Sequence, residues 1–163
     1  MTMKLKKLKH CIEVVKAKKW TIAFAEGGSE GKICRKFAVL PDADVVVLGG
    51  IVALKDHMKE YFFGIKSDVL RKFGNESAEV ARQMAQHLCE YLAADIHVSV
   101  TGDFGFNDIH KREHTLQSVF IHILFPDEAV SIKLEVDKER GGWANQTVNA
   151  ISELITEKLS TDK

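Results

Sequence analysis

The chain has 163 residues, 45% of them apolar and 28% charged, which is the size and make-up of one ordinary folded domain. With only 2 Pro and 11 Gly it is not disordered, collagen-like or low in complexity, and a core of this size needs neither metal nor disulfide. Lysine plus arginine and aspartate plus glutamate both number 23, so no global field draws the chain to nucleic acid or to a membrane surface. No apolar run reaches the roughly 20 residues of a membrane helix, and residues 1–19 lack the apolar stretch and cleavage site of a signal peptide. Cys11, Cys34 and Cys89 lie far apart with no CxxC pair. They read as reduced, mostly buried thiols of a cytoplasmic protein, with residues 1–163 forming one domain.

Residues 1–19 carry seven lysines against the single Glu13, a net of +6 that leaves −6 elsewhere. Leu5, Leu8, Ile12 and Val15 recur at helical spacing, predicting an outer helix with a lysine-rich wet face packed on an acidic body. A run of charge without aromatic residues carries little nucleic-acid specificity. Trp20–Glu26 is a short apolar strand, Gly27–Gly31 a glycine turn and 32–39 a helix. Val45–Leu48, opened by Asp42 and Asp44, reads as a strand buried on both faces. Strand, helix and strand make a βαβ unit, so these strands should run parallel. Two short helices follow over 55–63 and 67–73, broken at Gly64. Ser77 caps a long helix whose Val80, Ala81, Met84, Leu88 and Leu92 share one side. Residues 96–101 form a third strand. After a turn-rich stretch, 118–125 and 130–136 form an antiparallel hairpin with one wet face. A last helix carries Val148, Ile151, Leu154, Ile155 and Leu159. The sum is a three-layer α/β/α sandwich with a mixed, mainly parallel sheet and a C-terminal antiparallel hairpin.

The segment Ala25-Glu26-Gly27-Gly28-Ser29-Glu30-Gly31 stands where a strand delivers the chain to a helix, a position suited to binding ligands. It is not a phosphate loop: three residues separate Gly27 from Gly31 where four are needed, and Ile33 replaces the magnesium-binding hydroxyl. His110-Lys111-Arg112-Glu113-His114 fits the H-x-x-E-H spacing of some zinc peptidases. It lies in a short polar connection, and spacing identifies no third ligand downstream, so neither a metal nor any other cofactor is expected.

Ala25-Glu26-x-x-Ser29-x-Gly31 resembles the A-E-S-C-T-G-G motif of the CinA C-terminal domain family, whose active members are nicotinamide-mononucleotide amidohydrolases. Gly49-Gly50-Ile51-Val52 through Lys59 is similar to the family's G-G-V-V-T-Y-S-N-E-A-K. Gly64-Ile65, Gly74 to Ala81, and Ala94-Asp95 with Val98 to Gly102 resemble further family blocks at the family's intervals. Beyond Gly105 the likeness thins, and Phe106 to Val119 replaces the family's glycine-rich substrate loop and its K-P-V-G-T-V.

The resemblance implies a serine nucleophile assisted by a tyrosine and a lysine. Here the serine position is Gly27 and the tyrosine position is Leu54; only the lysine remains, as Lys59. A hydroxyl needs a neighbour to take its proton, and both partners of that pair are missing. Lys59 taken alone is the solvated lysine of a helix surface, and Ser29, matching the family's threonine, is placed for N-capping. The expectation is a pocket lined by Glu26, Gly27, Gly28, Ser29, Leu54, Lys55, Lys59, Thr101, Gly102 and Asp103 that holds a nucleotide-like small molecule without cleaving it. The resemblance also implies a homo-oligomer. The competing expectation is hydrolysis of a different amide or nucleotide through Ser29 or Lys59. A nucleic-acid contact through the first helix is a third.

Overall fold

The computed structural model describes residues 3–104, 116–137 and 142–161, with side chains from residue 6 onward. In chain order the elements are α1 (Met3–Ala17), β1 (Ile22–Gly27), α2 (Lys32–Ala38), a 3-10 turn (Ala43–Val45), β2 (Val47–Val52), α3 (Asp56–Phe63) and α4 (Ser67–Phe73). They continue with α5 (Ala78–Tyr91), β3 (Ile96–Gly102), β4 (Leu116–Leu124), β5 (Ala129–Asp137) and α6 (Trp143–Thr161). The five strands form one mixed sheet in the order β2-β1-β3-β4-β5. Strands β2, β1 and β3 are parallel, and β4 and β5 add antiparallel pairings. Helices cover both faces, as the strand–helix alternation predicts.

Each face has its own core, because alternate residues of a strand point to opposite sides. On one face Ile22, Phe24, Ile96, Val98, Val100, Ile121 and Ile123 pack against Leu8, Ile12 and Val15 of α1, Ile33 and Phe37 of α2, and Ile151, Ile155 and Leu159 of α6. On the other, Ala23 and Ala25 meet Phe63, Val80, Met84 and Leu88. The small alanines of β1 let α5 approach the sheet closely, and α3 packs against α5. Every side chain of β1 and β3 is buried, since these strands are central and covered on both faces. Lys6, Lys7, Lys9 and Lys16 of α1 face outward, with Lys7 paired to Glu153 of α6 and Lys16 to Asp42 at 2.8 Å.

Three expectations need correction. The second strand does not begin at Val45 and is not buried on both faces. Residues 43–45 form a 3-10 turn that starts from a left-handed Asp42, and β2 follows as an edge strand with alternating exposure. Its pairing with β1 slips between Val47 and Gly49, leaving Leu48 as the extra residue of a bulge. Within the apolar run at 45–48 Val46 is buried in the core, while Val45 and Leu48 are exposed beside an open edge. Gly27 belongs to β1 as its last residue rather than to the turn. The cysteines are all free, yet only Cys11 is buried; Cys34 is half-buried and Cys89 exposed.

Candidate functional site

The C-terminal ends of parallel strands are where open α/β sheets bind ligands, and here β1 and β3 end side by side, with Gly27 paired to Thr101. Just beyond, Gly28 adopts a left-handed φ of 99°, and a Cβ on it would lie 2.5 Å from the Gly102 carbonyl oxygen. Only glycine lets the two chains pass this closely.

Alternation along β1 divides the expected site residues between the two faces. Glu26 points toward α2. Its carboxylate accepts hydrogen bonds from the Ser29 hydroxyl at 2.6 Å, the Cys34 backbone N–H at 2.6 Å and the Ile33 N–H at 3.2 Å. These are donors at the start of a helix, which has no intrahelical acceptors for them. The side chain capping α2 is therefore Glu26, reaching from the strand, and not Ser29 as the sequence suggests. The Ser29 hydroxyl is buried and committed to Glu26. It lies on the opposite face from Lys59.

Gly27 points the other way, toward α3 and α5. A Cβ placed on it would sit 3.0 Å from Lys59 Cε, 3.4 Å from Met84 Cε and 3.4 Å from Thr101 Oγ1. Lys59 is thus not the solvated lysine of a helix surface; it is only 3% exposed, turned inward from α3 beneath the end of β1. Its Nζ donates to the Asn75 carbonyl oxygen at 3.2 Å, and the Thr101 hydroxyl donates to the same oxygen at 3.3 Å. Burial pushes the Lys59 ammonium below its ordinary pKa, partly opposed by the carboxylates of Glu76 and Asp56. Asn75 is held in turn by its Nδ2, which donates to Asp56 Oδ1 at 2.7 Å.

The structure therefore brings together Gly27, Lys59 and Thr101, with Gly102 next in the strand. It sets Glu26 and Ser29 on the far side. Leu54 is 51% exposed, and Lys55 and Asp103 are exposed as well. Asn75 was missed by sequence reasoning, because its contribution is a backbone oxygen and a carbonyl leaves no residue-type signature. The Cys34 thiol, raised to about 11 by burial and by the nearby Glu26 charge, is not a nucleophile at neutral pH. No group of three or more metal-ligating side chains occurs among the described residues. The His110–His114 motif lies outside them. No helix among the described residues is long and apolar enough to cross a membrane.

With this geometry in place, comparison with known proteins is direct: the family model of the CinA C-terminal domain matches residues 5–159. The chain belongs to the CinA C-terminal domain family. A CinA-like protein of Thermotoga maritima is 30% identical over 129 residues, covering 79% of this chain and 31% of that protein. A putative competence-damage inducible protein of Geobacillus kaustophilus is 36% identical over 94 residues, covering 58% of this chain and 23% of that protein. The chain thus matches less than a third of the length of these curated relatives. Among solved structures, the competence or damage-inducible protein of Enterobacter asburiae superposes with a TM-score of 0.83 at 15% identity, covering 98% of this chain and 99% of that one. The competence/damage inducible protein CihA of Agrobacterium tumefaciens gives 0.73 at 20% identity, covering 99% and 98%. At these identities the structural likeness shows the fold alone.

Proposed function

We propose that this CinA-type domain binds a nucleotide-like small molecule at the ends of β1 and β3 and does not hydrolyse it by the serine route of the amidohydrolases it resembles. The observation that carries this reading is the environment of Gly27. The position matching the family's nucleophile has no side chain, and the stem of Lys59 closes to 3.0 Å of where a Cβ would be. A buried amine with a carbonyl as its hydrogen-bond partner is suited to receive an anionic or carbonyl oxygen, since burial strengthens such a contact. Leu54, at the tyrosine position, supplies no proton donor or acceptor. The test incubates purified protein with nicotinamide mononucleotide and follows two signals, binding by calorimetry and ammonia release. Binding without ammonia, weakened at least tenfold by Lys59→Met, supports the proposal; ammonia release that disappears in Lys59→Met overturns it.

A second reading, hydrolysis of a different amide, is favoured by one observation: the Thr101 hydroxyl shares the Asn75 carbonyl with Lys59. Ser29 does not support it, because its hydroxyl lies buried against Glu26. In an amide-substrate screen, activity lost in Thr101→Val but kept in Ser29→Ala would favour this reading.

A further inference from the structure

Helices α3 and α4 form a wedge joined at Gly64. Gly64 has a left-handed φ of 60°, its N–H donates to the Glu60 carbonyl at 2.9 Å, and Phe63 and Ile65 beside it are fully buried. The two helices are thereby held at a set angle. Between them and Asn75 lies an open cavity of about 370 Å³, within the roughly 300–1,000 Å³ of small-molecule sites. Asp56, His57 and Glu60 line it from α3, and Ser67, Leu70 and Arg71 from α4. Gly27, Lys59 and Thr101 do not line it, so it is separate from the site at the strand ends. Asn75 stands between the two: its carbonyl accepts from Lys59, and its side-chain amide donates to Asp56 at 2.7 Å.

The polar groups of this cavity have been left open. The side chains of His57, Glu60, Ser67 and Arg71 form no hydrogen bond or ion pair among the described residues. Ser67, Leu70 and Arg71 share one face of α4, and Asp56 and Glu60 one face of α3, by their spacing of three or four residues. Charges of opposite sign therefore line one space from two helices without pairing. Asp56 and Glu60 also repel each other at this spacing. Since Asp56 already accepts from Asn75, Glu60 is the uncommitted carboxylate.

We propose that this cavity binds a free α-amino acid, with its carboxylate on Arg71 and its ammonium on Glu60. An anion alone would sit beside two carboxylates, and a cation alone beside a guanidinium. A zwitterion satisfies both walls. The fork of Arg71 suits a carboxylate, which it can hold through two N–H donors, and the Ser67 hydroxyl on the same face offers a third. Half-buried Leu70 gives an apolar surface for the ligand's side chain. A metal ion does not suit the site, because no three ligating side chains converge among the described residues.

The test titrates isotope-labelled protein with each of the proteinogenic L-amino acids and follows the backbone amide shifts. At least one should give saturable shifts in α3 and α4. The amine and the acid left when that amino acid lacks its carboxylate or its amino group should each bind about tenfold more weakly or worse, as the loss of a charge-assisted hydrogen bond implies. Arg71→Gln and Glu60→Gln, at exposed positions, should keep the circular dichroism spectrum and weaken the amino acid by a similar factor. Arg71→Gln should no longer tell the amino acid from the amine, nor Glu60→Gln the amino acid from the acid. Lys133→Gln on β5 should change nothing. Absence of α3 and α4 shifts with every amino acid overturns the proposal. An amine or acid that binds as tightly as its amino acid also overturns it, by making the cavity a plain cation or anion site; this comparison uses the unmodified protein and stands whether or not the variants fold. Full affinity in either folded variant overturns it as well. So does displacement of the amino acid by nicotinamide mononucleotide, whereas failure of that nucleotide to bind anywhere counts against the strand-end reading alone.

Discussion

A buried lysine is costly unless its charge is matched, and Lys59 has a carbonyl, not a carboxylate, as its hydrogen-bond acceptor. Burial lowers its pKa from the ordinary 10.5, whereas in the unfolded chain the ordinary value returns. Between the lowered and the ordinary value the unfolded state binds more protons than the native state, so stability rises with pH across that window. Below the window the penalty is fully present. Lys59→Met keeps most of the volume and removes the charge, and the Asn75 carbonyl still accepts from Thr101. This variant should therefore be more stable than the parent at pH 7, and the difference should shrink as pH approaches 10. Urea midpoints at pH 7 and 10 check the sign. A variant less stable at pH 7, or a gap that widens with pH, would contradict the account. That a protein should keep such a residue points to a use for the amine beyond packing.

At the scale of elements, the junction of β1 with α2 depends on one side chain. Glu26 accepts from Ser29, Ile33 and Cys34, so Glu26→Ala strands three donors in a largely buried place. At about 1–3 kcal/mol for an unsatisfied buried group, the loss of stability should be near the top of that range, while Ser29→Ala should cost about 1 kcal/mol, as one lost bond does. Denaturant titration of the two variants gives the ranking, and equal losses would refute it. This junction also shows where the sequence stops being informative. Periodicity located α1, α5, α6 and the β4–β5 hairpin, because each shows one apolar face to a core and the spacing of that face is local information. It also placed Ser77 as a cap, and the Ser77 hydroxyl does accept from Val80 N–H at 3.2 Å. It misplaced β2, because an apolar run looks the same at an open edge as in an interior. It gave Ser29 the capping role that Glu26 fills from a strand two residues before the turn. It left Lys59 in solvent, because Asn75, which holds it, is 16 residues away in the chain.

The molecule as a whole keeps the frame of the family and has changed what stands in it. Gly27, Lys59, Thr101 and Asn75 come from β1, α3, β3 and the connection before α5, all within the part of the chain where the family likeness is dense. The segment from Phe106 to Val119, which by the sequence resemblance replaces the family's substrate loop, is where the motif likeness thins, although the family model continues to residue 159. In the reading proposed above, the family's catalytic group and its substrate loop are replaced in separate parts of the chain, and one substitution can distinguish the two replacements. Gly27 has no left-handed φ, so its backbone accepts serine. The crowding atom at 3.0 Å is the far end of the flexible Lys59 side chain, which can give by a few tenths of an ångström. Gly27→Ser should fold and place a hydroxyl beside the buried Lys59 amine, which can take its proton once the amine is itself deprotonated, so the activation is expected to grow as pH rises toward the ordinary lysine value of 10.5. The expected outcome is labelling at position 27 by a fluorophosphonate probe, abolished when Lys59→Met is added, with no ammonia released from nicotinamide mononucleotide. Labelling that survives Lys59→Met would mean that the amine does not activate the hydroxyl. Ammonia release by Gly27→Ser would mean that the chain recognises nicotinamide mononucleotide without the family's loop, and the proposed inactivity would then rest on the missing hydroxyl alone.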